Sequence, residues 1–257
     1  MKNFDIDTKK VARELVNFIS EGVSLKGFKK VMLGLSGGLD STTVAYLAKK
    51  ALGKDNVIGV LMPYGRLSQE ALRDAKKIER ILKIKTFHVN ISPMVNAYFK
   101  KIKSADKIRR GNKMARERMS ILYDLSKKHN ALVIGTSNRT EILLGYGTIH
   151  GDCACAINPV GGLYKTQLRA LAKSIGVPSY IIDKAPSADL WSGQTDEDEL
   201  GYAYKDIDKL LFYMVDKRLI DKELLKKGFD RKFILHIRKK IRENRFKSQP
   251  PLIAKEI

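Results

Sequence analysis

The sequence predicts an α/β fold: a parallel sheet with helices on both faces, Rossmann-like, with a helical C-terminal portion. Three observations predict it. Short apolar runs alternate with stretches of helical periodicity over residues 5–175. The first run ends in glycine and feeds a glycine-rich turn into a helix, "LGLSGGLDSTT" (33–43). Beyond about residue 197 the strand-like runs stop and the chain reads as helices rich in Lys and Arg.

Residues 5–25 carry Val11, Leu15, Phe18 and Ile19 at helical spacing. "KVMLGLS" (30–36) is an apolar run of the kind a buried parallel strand needs. Residues 41–52 follow as a helix closed by Gly53. "NVIGVLM" (56–62) is a second strand, 68–82 a helix with Ser68 as its cap, and "IKTFHV" (84–89) a third strand. Residues 107–130 form a long amphipathic helix with Ala115, Met119, Leu122 and Leu125 on one side, and "ALVIGTS" (131–137) is the fourth strand. The stretch 145–162 has five glycines and no period, which marks it as a candidate active-site lid. A helix near 165–175 and the loop 184–199 lead into the helical subregion 197–247. One domain spanning 1–257 is expected, because no linker or repeat interrupts it.

Composition narrows the function. The chain is 44% hydrophobic and 30% charged, as a folded soluble protein would be. No apolar run reaches the roughly 20 residues that cross a bilayer, and the charged N-terminus is no signal peptide, so a cytoplasmic protein is expected. Its two cysteines, Cys153 and Cys155, have neither the spacing of a disulfide framework nor that of a zinc site. The net charge of +21 suits anionic ligands, or is a lysine-rich solvated surface. The basic residues are spread rather than gathered, so a dedicated nucleic-acid arm is not expected.

The turn after the first strand matches the common mononucleotide loop except that Asp40 stands where that loop has lysine. Gly37 and Gly38 let the backbone approach a ligand, Ser36 and Ser41 offer hydroxyls, and the helix start offers N–H groups. An aspartate beside phosphates repels them unless it holds a cation, and Mg²⁺ takes one or two carboxylates plus phosphate oxygens. Asp40 therefore reads as a magnesium ligand, or else as a simple helix cap.

S-G-G-x-D-S after a strand resembles the signature of the N-type ATP pyrophosphatases, which adenylate a substrate oxygen. Three further stretches resemble one member family, the ammonia-dependent NAD synthetases: "RRGNKMARERM" (109–119), "GTSNRTEILLGYGTIHGD" (135–152), and "NPVGGLYKTQL" (158–168) with "KAPSADLWSGQTDEDELG" (184–201). The resemblance implies ATP-dependent amidation of deamido-NAD by ammonia through an acyl adenylate. It implies ATP contacts at Gly34, Leu35, Ser36, Gly37, Gly38, Leu39, Asp40, Ser41, Thr136, Lys165 and Ser187. It implies Mg²⁺ on Asp40 and Glu141, and deamido-NAD contacts at Arg116 and Lys247, with His150 and Asp152 as nearby candidates. Lys165 would supply the positive charge that the first loop lacks. Asp189 and the acidic cluster 196–199 read as capping charges, not as sites.

The sequence departs from the family pattern at Leu61, Ile149, Ala156 and Phe246, all on the dinucleotide side. Residues 1–30 are too short for the amidohydrolase domain that glutamine-dependent members carry, so free ammonia, or ammonia from a separate protein, is the expected nitrogen source. The resemblance further implies a homodimer. A tRNA-modifying adenylating enzyme of the same superfamily is the alternative; the charge suits it, but "PSADL" and "ARERM" do not.

Overall fold

The computed structural model describes residues 4–65, 69–102, 104–187, 190–191 and 193–254. In chain order, α1 (Thr8–Leu25) leads into β1 (Lys30–Gly34), α2 (Leu39–Leu52) and β2 (Val57–Leu61). Next come α3 (Gln69–Leu82), β3 (Lys85–His88), α4 (Ser92–Phe99), α5 (Lys107–His129) and β4 (Ala131–Val133). Then α6 (Arg139–Leu144), α7 (Lys165–Ser174) and α8 (Ser179–Ile182) precede the C-terminal helices α9 (Asp196–Leu200), α10 (Tyr204–Leu211), α11 (Asp221–Lys226) and α12 (Arg231–Asn244). The Ser68 cap and Asp189 lie outside the described residues.

All pairings are parallel, in the order β3-β2-β1-β4. The period-2 alternation of β1 divides its side chains between two apolar layers. Val31 and Leu33 face a cluster built with α1, α2, α3 and α7, among them Ile19, Leu47 and Ile78. Met32 faces the opposite cluster, with Val95 and Phe99 of α4 and Met114 of α5. Every residue of β2 is buried, which is why it reads as a continuous apolar run. A third cluster holds the C-terminal helices together through Leu200, Ile207, Phe212, Phe233 and Ile237, and reaches Leu144 and Tyr164 on α6 and α7's approach.

Local chemistry sets the helix ends. Asp7 accepts from the amides of Lys9 and Lys10 and starts α1, later than the residue 5 expected. Asp106 accepts from Arg109 N at 2.7 Å and starts α5, and Asn130 in the left-handed region ends it. Helix α2 begins at Leu39, two residues earlier than expected, because Gly38 rather than Asp40 stands at its N-cap. Asp40 thus lies in the first turn of a helix.

Other expectations need correcting. Phe18 is 45% exposed, and α1 buries Ala12, Ile19 and Val23 instead. Strand β4 ends at Val133, not Ser137: its pairing with β1 stops at Met32↔Val133, two residues before β1 itself ends at Gly34. The chain beyond it bridges Ile157 at Ile134, so the end of the glycine-rich stretch lies alongside the sheet. Among the described residues no helix is long and apolar enough to cross a membrane.

Ile19 has no exposed surface and belongs to the cluster beneath the sheet. Ile19→Ala should therefore lower unfolding free energy by about 2–5 kcal/mol in chemical denaturation, leaving ligand binding in the folded protein unchanged.

Candidate functional site

The strand order reverses between β1 and β4, and open parallel sheets bind ligands at the carboxyl ends of such a pair. A cavity of ≈ 480 Å³ opens there, lined by Gly34 after β1, by Gly135 and Thr136 after β4, and by Asn112, Arg118 and Met119 of α5. Met119 lines this cavity together with Ala115 and Leu122 of the same helix side.

The turn after β1 is held in shape by its own residues. Leu35 N donates to Val60 O on β2, and Ser36 and Ser41 join their hydroxyls at 2.9 Å. Gly38 N donates to Ser36 Oγ. Gly37 has φ +78°, and a Cβ there would stand 2.4 Å from Ala71 O and 2.8 Å from Ala75 N of α3. Only glycine fits this crossing. The turn presents the N-terminus of a 14-residue helix to the cavity, a partial positive charge suited to anions.

Three elements far apart in sequence meet at this turn. Asp40 comes from α2, Glu141 from α6 and Lys165 from α7. Lys165 Nζ lies 2.6 Å from Asp40 Oδ2 and 3.2 Å from Glu141 Oε1, with its side chain 5% exposed. Burial pushes the Glu141 carboxyl up to about 8, with the Asp40 charge adding to the rise and Lys165 opposing it. Burial pulls Lys165 down, but the Asp40 and Glu141 carboxylates outweigh it and hold its ammonium above its ordinary range.

The sequence reading missed Asn138, which organises both carboxylates. It has no exposed surface. Its Nδ2 donates to Asp40 Oδ1 at 2.9 Å, its Oδ1 accepts from Glu141 N, and its own N–H donates to Glu141 Oε2. This is a capping box, legible in retrospect as the N-x-x-E of "NRTE" after a strand. The acidic cluster also needs correction. Asp196 is buried and accepts from Tyr204 OH at 2.9 Å and Tyr146 OH at 3.1 Å. Glu199 accepts from Tyr146 OH and Gln194. Both acids line the cavity, whereas the capping role falls to Thr195.

Of the expected residues, Gly34, Leu35, Ser36, Gly38, Asp40, Ser41, Thr136, Glu141, Lys165, Ser187, Asp152 and Lys247 line this cavity. Leu39 lines an adjoining cavity of ≈ 130 Å³, with Arg169 and Lys184. Gly37 lies beneath the turn. Arg116 is exposed, its Nε on Ile149 O at 3.2 Å, while Arg118 two residues on lines the cavity. His150 is exposed, with φ +56°. The glycine-rich stretch is fastened at several points: Thr148 Oγ1 donates to Asn112 Oδ1, Lys247 Nζ to the carbonyls of Gly145 and Gly147, and Gly135 N to Ile157 O. Cys153 and Cys155 are free thiols.

The site has the donors for a divalent ion only when phosphate oxygens complete them. Asp40 Oδ2 and Glu141 Oε1 converge on one cation, and among the described residues no cluster of three or more acidic, His or Cys side chains could hold a metal alone. Two carboxylates plus phosphate is the usual Mg²⁺ arrangement, so the residues fit that ion.

A family model described as NAD synthase matches residues 11–251. The protein described as NH(3)-dependent NAD(+) synthetase from Fusobacterium nucleatum is 48% identical over 255 residues, covering 99% of each chain. Its namesake from Trichlorobacter lovleyi is 48% identical and covers 99% of this chain and 93% of its own. The solved NH3-dependent NAD synthetase of Campylobacter jejuni, in complex with nitrate, is 37% identical with a TM-score of 0.84, over 97% of this chain and all of that one. The solved NMN synthetase of Francisella tularensis is 32% identical with a TM-score of 0.87, over 98% of this chain.

Asn138→Ala should lower stability by about 1 kcal/mol through the lost cap. It should also cut turnover at least about tenfold, because both carboxylates lose a fixed partner. Thermal unfolding and steady-state rates measured together check this; unchanged turnover would contradict the organising role.

Proposed function

The chain belongs to the NAD synthase family, and from that premise we propose how its site makes NAD. The reaction is the ATP-dependent amidation of deamido-NAD by ammonia, giving NAD, AMP and pyrophosphate. The observation that carries the mechanism is the meeting of Asp40, Glu141 and Lys165 beside the phosphate-binding turn.

A carboxylate is a poor acyl donor because oxide is a poor leaving group. Attack of the nicotinate carboxylate on the α-phosphate of ATP gives an acyl adenylate and releases pyrophosphate. Ammonia then attacks the carbonyl, and AMP departs. In the proposed arrangement the amides at the start of α2 hold the β- and γ-phosphates, with the Ser36 and Ser41 hydroxyls beside them. Thr136 and Ser187 flank the nucleotide. Asp40 and Glu141 would hold Mg²⁺ together with the phosphates. That ion, when bound, neutralises charge developing on the phosphates. Lys165 turns from the two carboxylates toward the α-phosphate and stabilises its developing charge. Arg118, Asp152 and Lys247 face the dinucleotide side of the cavity, and Arg116 steadies the Ile149 turn at its rim. The fastened stretch 145–158 keeps water from the adenylate. A homodimer is the assembly we infer; exposed Tyr98, Ile108 and Tyr123 on α4 and α5 support it.

One finding favours a second acceptor. The solved structure with a TM-score of 0.87 is described as an NMN synthetase, which would amidate a mononucleotide. The relatives at 48% identity over nearly the whole chain favour the dinucleotide.

Pyrophosphate release with ATP, Mg²⁺ and ammonium tests the reading, with deamido-NAD and nicotinate mononucleotide as competing acceptors. A first turnover of pyrophosphate should need only ATP, Mg²⁺ and the acceptor, whereas continued release and amide formation should require ammonium, and kcat/KM should be higher for the dinucleotide. Asp40→Ala and Glu141→Ala should each lower the rate by about 10²-fold or more, and Lys165→Met by about 10²–10³-fold. Both carboxylate variants at wild-type rate would refute the proposed metal site.

A further inference from the structure

We infer that Asp208, which does not line the cavity, is the positioning residue that sets Glu141 and Lys165 opposite Asp40. The inference deepens the reading of the site given above and rests on it. Asp208 stands on α10, in the C-terminal helical portion, and has no exposed surface. A buried carboxylate there is costly unless its lone pairs are used. Among the described residues its hydrogen bonds go to the two threonines next to that pair. Thr140 Oγ1, one residue before Glu141, donates to Asp208 Oδ1 at 2.5 Å. Thr166, one residue after Lys165, donates to Asp208 Oδ2 from its N at 2.8 Å and from its Oγ1 at 2.7 Å. Thr140 Oγ1 also accepts from Lys165 N at 3.0 Å.

The consequence is a fixed register between α6 and α7. Both helices point their first turns at the same carboxylate. The first amides of a helix need acceptors, and Tyr164 at the N-cap of α7 makes no side-chain cap. Asp208 accepts one of those amides from outside the helix, and Thr140 accepts another. Glu141 and Lys165 each leave the backbone one residue from this junction, so a shift at the junction moves both. Asp208 hydrogen-bonds to neither of them; beside its charge attraction to Lys165 it acts through the threonines. Displacements of about 1 Å at such a distance from the chemistry can cost about 10²-fold in rate.

The test reads nucleotide binding and turnover separately from stability. Trp191, the chain's single tryptophan, lines the cavity, so its fluorescence reports ATP binding with Mg²⁺ present. Asp208→Asn keeps the shape but loses one acceptor, and Thr166→Val removes one donor at the same junction. Both should weaken ATP binding about tenfold and lower kcat by about 10–10²-fold, with KM for deamido-NAD changed less than about twofold. Thr166→Ser should restore both quantities. If Asp208→Asn does not fold, Thr166→Val and its serine counterpart carry the test. The inference is overturned if folded variants keep wild-type ATP affinity and kcat and lose only thermal stability. If the wild type binds ATP but makes no NAD, while ATP affinity still depends on Asp208 and Thr166 as stated, the functional reading fails and the positioning role stands.

Discussion

Two half-buried carboxylates facing one point are the constraint from which the rest of this structure follows. Asp40 and Glu141 would repel each other in a dry site, and each needs a cation. The chain answers with Lys165, held within hydrogen-bond distance of both. That answer places heavy demands on the fold. Its three members come from three helices, and Lys165 is 125 residues from Asp40 in sequence. The strand order solves the problem, because β4 lies beside β1 and so delivers α6 next to α2.

Around that ion triad the polar side chains form a continuous support. Asn138 fastens the two carboxylates from below, and Asp196 is held by the hydroxyls of Tyr146 and Tyr204. Tyr204 also places its ring 5.3 Å from Lys165 Nζ, so the ammonium meets a π face as well as two anions. Arg139 pairs with Asp216, which accepts from Tyr164 OH, and this second junction ties the C-terminal helices to the start of α6 and the approach to α7. The helical portion is thus the scaffold behind the charged residues. The basic surface, with its net charge of +21, adds attraction for two polyanionic substrates that repel each other.

What the sequence could show depended on distance along the chain. The strand-turn-helix at 30–52 was legible because strand, glycines and helix start are contiguous, and so was the place of Asp40 at the start of that helix. The alternation of strands and helices gave the parallel sheet. Phe18 was misread because its helical spacing fits the apolar face, yet its position on α1 points outward. Asp196 was misread because an acidic run at a helix start is usually solvated, and only the fold brings Tyr146 and Tyr204 onto it. Asp208 carried no signal at all, since its partners lie 68 and 42 residues away. The family resemblance supplied Lys165 and Glu141, but not that they hold each other when no ligand is present.

The central claim is that the cation between these carboxylates exchanges when ATP arrives. The most direct measurement is a crystal structure with Mg²⁺ and an ATP analogue that cannot be cleaved between its α- and β-phosphates. The account predicts Mg²⁺ between Asp40 and Glu141, phosphates on the turn at Ser36–Ser41, and Lys165 Nζ moved from the carboxylates to the α-phosphate. A triphosphate bound away from that turn, with Lys165 still between the two acids, would contradict it.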